Sequence, residues 1–153
     1  MQNHFRLVVL PLALCAMTLC AQEKKIERST LPPAVEKTVQ TNTSGATIVG
    51  FATEREDGKK VYEARTMLNG HTRDLQIAEN STLNEIEEEV ALDSLPAAVQ
   101  QGLKAKAGAA KITKVESLTK KNKLVAFEAA TLKGTKKGEI QVGPGGETLK
   151  HAE

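Results

Sequence analysis

The spacing of apolar positions switches between two periods along this chain, and it does so twice in the same order. In "STLPPAVEKTV" Leu31, Val35 and Val39 recur every four residues, and in "DSLPAAVQQGL" Leu95, Val99 and Leu103 do the same. Each set makes one apolar stripe on a helix. Pro32 and Pro96 fall in the first turn, where a missing N–H costs little, and Ser29 or Thr30 and then Ser94 are the expected N-caps. Ser44-Gly45 and Gly108 are the expected stops. Gly102, inside the second helix, should weaken it by about 1 kcal/mol relative to Ala.

After each helix the period shortens to two. "ATIVGFATE" and "KITKVESL" come first, closed by the polar turns "REDGKK" and "TKKNK". Tyr62, Ala64 and Thr66 then alternate with Glu63 and Arg65, as Phe127, Ala129 and Thr131 alternate with Glu128 and Ala130. Turns at Asn69-Gly70 and Lys133-Gly134 lead into strands in which Leu75 and Ile77, or Ile140 and Val142, face one way. Alternation joined by glycine-containing turns describes an antiparallel sheet with one wet face. That face would present Glu63, Arg65, Asp74 and Gln76, then Glu128, Glu139 and Gln141.

The two passages align at an offset of 64 residues, rising to 65 after one insertion, and the order of matches never breaks. Leu31, Pro32, Ala34 and Val35 meet Leu95, Pro96, Ala98 and Val99; Thr66 meets Thr131, and Gln76 meets Gln141. This is an internal duplication. It predicts an α+β fold of two tandem α-β-β-β(-β) repeats sharing a core, with the helices packed on one face of the sheet. The segment "STLNEIEEEVALDS" fits either a helix, through Leu83, Ile86 and Val90, or a charged fourth strand. Its counterpart "ETLKHAE" simply ends the chain.

The first 21 residues stand apart. Arg6 precedes an apolar run from Leu7 to about Ala21, followed by "QEKK", the order of a secretory signal, and the run is short for a membrane span. Cleavage after Ala21 leaves residues 22–93 and 94–153 as the two repeats, in the periplasm or secreted, with no membrane span. Cys15 or Cys20 as a lipid-attachment site is the alternative, although each follows Leu where a small residue is usual. Both cysteines depart with the signal, so disulfides, thiol catalysis and cysteine-held metal are excluded from the rest.

Charge divides unevenly: residues 22–93 carry nine Lys/Arg against fourteen Asp/Glu, and residues 94–153 carry eleven against five. Two solvated surfaces account for this, while opposite-signed halves could also attract each other or steer a dipolar partner. Spread lysines with few aromatics argue against nucleic acid. Candidate chemistry is sparse. "GPGGE" at 143–147 lacks the Lys and Ser/Thr of a phosphate loop and reads as a hairpin turn. His71 and His151 are isolated, so no metal site is expected, and "EIEEEV" lacks the central glycine of a calcium loop and reads as a solvated acidic face. No nucleophile motif occurs, and Asn42-Thr43-Ser44 and Asn80-Ser81-Thr82 read as turns. No enzyme activity and no cofactor are expected.

The "LPxAV" helix, the strand pair, the Tyr-Glu-Ala or Phe-Glu-Ala strand and the glycine turn before a closing strand together resemble PepSY-like domains. These are exported bacterial modules related by fold to the beta-lactamase inhibitory protein, whose similar halves share one curved antiparallel sheet. The resemblance covers residues 22–153. It implies that the run "STLNEIEEEVALDS" forms the charged fourth strand and that the concave sheet face docks another exported protein. It implies a non-catalytic binding module, an inhibitor or regulator of an exported peptidase or related enzyme. A structural or ligand-sequestering envelope protein is the alternative. The chain departs from the family in having "ENST" and "GPGGE" where an acidic turn is common, and in having few aromatics for an inhibitor-type interface.

Overall fold

In the computed structural model, residues 23–153 apart from residue 57 are described. The expected signal, its cleavage point and both cysteines lie outside these residues. Strand β1 (Lys24–Ile26), a 3-10 turn (Arg28–Thr30) and helix α1 (Pro33–Asn42) come first. Strands β2 (Thr47–Glu56), β3 (Lys59–Leu68), β4 (His71–Ala78) and β5 (Leu83–Glu89) follow. A second 3-10 turn (Leu92–Ser94), α2 (Ala97–Ala107), β6 (Lys111–Lys120), β7 (Lys123–Lys133) and β8 (Lys136–Val142) complete the chain. The strands form one antiparallel sheet in simple chain order, β1 to β8. The result is an α+β protein with an open eight-stranded sheet and two helices. Among the described residues no helix is long and apolar enough to cross a membrane.

Local chemistry sets the hairpins. Asn69 and Gly70 both have positive φ (54° and 86°), as do Lys121 and Asn122 (51° and 61°). Two such residues make the turn whose twist matches that of the flanking strands. Residues 83–89 are a strand, because Leu75 pairs with Ile86 from one side and Ile86 with Thr119 from the other.

The helices begin later than their hydroxyl residues suggested. Pro32 and Pro96 occupy the N-cap positions with ψ 142°, and no side chain caps either helix. A residue that precedes proline, as Pro32 does, is pushed towards extended backbone. Thr30 and Ser94 instead close the 3-10 turns: each hydroxyl donates to the carbonyl three residues back, Glu27 and Ala91, at 2.7 Å. Ser29 lies within the first turn and caps nothing.

The apolar stripes do meet the sheet, but over two clusters rather than one. Leu31, Val35 and Val39 pack with Phe51, Tyr62, Ala64, Leu75 and Ile77. Val99 and Leu103 pack with Val115, Phe127, Ala129 and Val142. The expected shared core is absent from the middle of that face because polar groups occupy it: Arg73 pairs with Glu88 at 3.7 Å, and the Ser117 hydroxyl donates to the Glu88 carbonyl. Strand β5, hydrogen-bonded to β4 and β6, joins the two sides instead. Buried Thr66 and Thr131 play equivalent parts, their hydroxyls donating to the carbonyls of Arg73 and Gly138 across the hairpin.

Gly102 has a packing reason that helix propensity does not reveal. Residues 143–147 form a turn, with Gly143 N–H donating to Glu147 O and Gly146 N–H to Gly143 O. It leads into no strand, so it is not the expected hairpin. It rests on α2: a Cβ on Gly102 would collide with the Gly146 backbone, and one on Gly146 (φ +85°) with the Ala98 backbone.

Candidate functional site on the open sheet face

Side chains alternate across each strand, so the residues between the core positions all point away from both helices. The register places Glu63 beside Gln76 and Arg65 beside Asp74 on β3–β4. It then places Asp74 beside Glu87 and Gln76 beside Glu85 on β4–β5, Glu89 beside Glu116 on β5–β6, and Glu116 beside Glu128 on β6–β7. Three of these neighbours are like-charged pairs directly opposite each other, an arrangement that destabilises a sheet unless the charge is removed or matched.

The face is a cleft rather than a flat slab. Glu54 on β2 and Glu139 on β8 line the same cavity of about 420 Å³, with Glu23, Glu63, Arg65, Asp74, Gln76, Glu87, Glu116 and Glu128. In a flat sheet β2 and β8 would lie roughly 29 Å apart, six strand spacings. The sheet is therefore rolled towards this side. Rolling also shields short side chains on the open face, where Ala52, Val61, Leu118 and Ala126 are buried beside the carboxylates.

Burial and mutual repulsion act on the acids together. Desolvation raises Glu87 to about 8, reinforced by the charges of Glu116, Glu85, Glu128 and Asp74. Desolvation likewise raises Asp74, against a hydrogen bond from the Thr66 N–H, and Glu54, with help from Glu63. Glu128 is raised by burial although Gln141 Nε2 donates to it at 2.7 Å. Glu85, only 5% exposed, is raised by burial despite Lys120 at 3.4 Å. The cations are engaged: Arg65 with Glu63 at 2.8 Å and Glu23 at 2.6 Å, and Lys114 with Glu116 at 2.6 Å. The side-chain Oε1 of Gln76 is buried with no hydrogen-bond partner among the described residues.

Of the seven residues that alternation assigned to this face, Glu63, Arg65, Asp74, Gln76, Glu128 and Glu139 line the cleft. Gln141 stands behind Glu128 and also accepts the Glu153 N–H at 2.8 Å. Sequence reasoning did not single out Glu23, Glu54, Glu87 or Glu116. Alternation from Ile48 to Glu54 is broken by a register shift between Ile48 and Gly50, whereas Val115 inward and Glu116 outward was available. The run "EIEEEV" is not the solvated acidic face expected of it, since rolling buries Glu85 and half-buries Glu87.

Among the described residues the cleft offers carboxylates and one guanidinium, with neither a thiol nor an imidazole; His71 and His151 are exposed elsewhere. Among the described residues no three His, Cys, Asp or Glu side chains converge to hold a metal ion. A second, broader cavity of about 580 Å³ adjoins it past Gln76, with Val61, Ala78 and Leu83 among its walls.

Solved structures share this architecture. A BLIP-like protein of Bacteroides fragilis superposes with a TM-score of 0.57 at 22% identity, over 78% of this chain and 84% of its own. The fold is BLIP-like. A DUF2874 family protein of Bacteroides ovatus superposes on this chain with a TM-score of 0.62 at 21% identity, over 79% of this chain and 86% of its own. A Bacteroides eggerthii protein proposed to be periplasmic gives 0.63 at 20% identity, covering 78% and 86%. No protein-family model matches the chain, and no curated protein matches it.

Proposed function

We propose that this is an exported, non-catalytic binding module made of two tandem PepSY-like units, residues 22–93 and 94–153, whose open sheet face docks another exported protein. The observation that carries the reading is the cleft itself. Among the described residues eight carboxylates line it against one guanidinium, so a complementary partner presents basic side chains. The sheet edges are poor alternatives. β1 has three residues, two of them Lys24 and Lys25, and β8 opens with Lys136 and Lys137; short edges and edge lysines discourage strand addition.

The order strand, 3-10 turn, helix, three strands occurs twice, with the 3-10 turns 64 residues apart, which supports the duplication. The signal-like leader and the solved neighbour proposed to be periplasmic support export to the periplasm or beyond. With Glu63, Arg65, Asp74, Gln76, Glu128, Glu139 and Gln141 at the contact, the module acts as an inhibitor or regulator of an exported peptidase or related enzyme.

The test is affinity capture from the native envelope with residues 22–153, beside a Glu63→Lys, Glu128→Lys variant. A stoichiometric protein partner that is released by salt and missing from the variant is the expected result, since exposed charge pairing is screened. Equal capture by both chains, or capture of a small ligand or wall polymer alone, overturns the reading in favour of a structural or sequestering role. Turnover of any substrate by the purified chain overturns the non-catalytic assignment.

A further inference from the structure

Among the described residues, strand β5 is the only hydrogen-bonded link within the sheet between β1–β4 with α1 and β6–β8 with α2, and the helix-side cores on its two flanks are separate. Glu87 sits on its open face, directly between Asp74 on β4 and the buried Leu118 on β6. Diagonal to it lie Glu85 and Glu89 on its own strand, Gln76 on β4, and Glu116 and Lys120 on β6. Glu128 on β7, Glu63 and Arg65 on β3, Glu54 on β2, Lys114 on β6, and Glu139 on β8 complete the charged surroundings.

Each nearby cation already faces another carboxylate. Lys120 pairs with Glu85, Lys114 with Glu116, and Arg65 with Glu63 and Glu23. Glu87 has no ion pair among the described residues. An ionised Glu87 would therefore stand opposite Asp74 with no counter-charge, at the strand on which the two sides of the sheet depend.

We propose that the β4–β5–β6 seam is a proton-operated latch, in which a proton on Glu87 holds the two sides of the sheet together and its loss loosens them. The sign follows from linkage. The folded state holds this proton up to about 8, whereas the open seam releases it near the ordinary value of 4.5. The stabilisation is fully present below about 4.5, is lost steadily as pH rises towards 8, and is gone above. Asp74, Glu54, Glu85 and Glu128 are shifted in the same direction and add to the same trend.

Native-state hydrogen exchange on residues 22–153 from pH 5 to 8.5, with intrinsic exchange divided out, tests the latch. In the wild type, protection of the amides pairing β5 with β6 is expected to fall by up to about tenfold per pH unit until about pH 8. Amides within α1 and α2 should change far less. Glu87→Gln should remove the slope above about pH 6, and Asp74→Asn, which keeps Glu87, should shift its end to lower pH. The Asp74 variant decides the matter if Glu87→Gln does not fold. Seam protection that is constant with pH, that falls equally in these variants, or that falls in step with the helices overturns the proposal.

Discussion

Gly102→Ala is expected to destabilise the protein by about 1–3 kcal/mol, although alanine is the better helix former by about 1 kcal/mol. The new methyl group would meet the carbonyl, carbonyl carbon and Cα of Gly146. These are backbone atoms that cannot swing aside as a side-chain end would. Gly146 is itself held at φ +85° against the Ala98 backbone, so the turn at 143–147 cannot retreat without strain. The least costly response is for the turn to leave α2, releasing residues 143–153 and the Glu153–Gln141 hydrogen bond. Denaturant unfolding together with limited proteolysis checks this. A lower midpoint with new cleavage in residues 143–153 is expected, and a more stable Gly102→Ala protein would show that the two glycines do not touch.

Leu103→Ala should have the larger effect, about 2–5 kcal/mol, the usual range when a fully buried leucine is truncated in a core that cannot collapse. Leu103 is 0% exposed and anchors α2 over Val115, Phe127 and Val142. The form of the transition is as informative as its size. The two apolar clusters are separate, yet β5 is paired with β4 by five residues and with β6 by five. At pH 6, where the seam is closed, a defect under α2 should therefore lower a single calorimetric transition. A biphasic melt, with the α1 side unaffected, would mean that β5 does not couple the two sides.

Much of this architecture was legible because its determinants are local. Leu31, Val35 and Val39 and their counterparts Val99 and Leu103 fall where a four-residue period puts them. Tyr62, Ala64 and Thr66, with Phe127, Ala129 and Thr131, fall on the core side as a two-residue period requires. The same alternation found the seven open-face residues. The N-caps were misread because proline geometry outranks a hydroxyl two or three residues earlier, and Thr30 and Ser94 spend their hydroxyls inside the 3-10 turns. The shared core was misplaced because Glu88 and Ser117 lie on the helix side of the seam, which alternation along β5 could not show until its strand character was fixed.

The cleft was the least legible feature. Period-two alternation says which side of a sheet a residue takes, but nothing about how tightly the sheet rolls. Glu54, Glu87, Glu116 and Glu139 come from strands far apart in the chain, and only rolling brings them to one cavity. Rolling also turns the acidic run of β5 from a solvated stripe into a partly dehydrated one. Gly102 is similar: its constraint comes from a turn more than forty residues away in the chain, invisible to helix propensity.

Whether the sheet closes around crowded, partly dehydrated carboxylates is decided by a carboxyl-carbon NMR titration of the wild-type protein. The Glu87 resonance is expected to titrate with a midpoint of about 8, with Asp74, Glu54, Glu85 and Glu128 also displaced upwards. A Glu87 midpoint near 4.5, in line with exposed carboxylates, would contradict it and return the open face to an ordinary solvated surface.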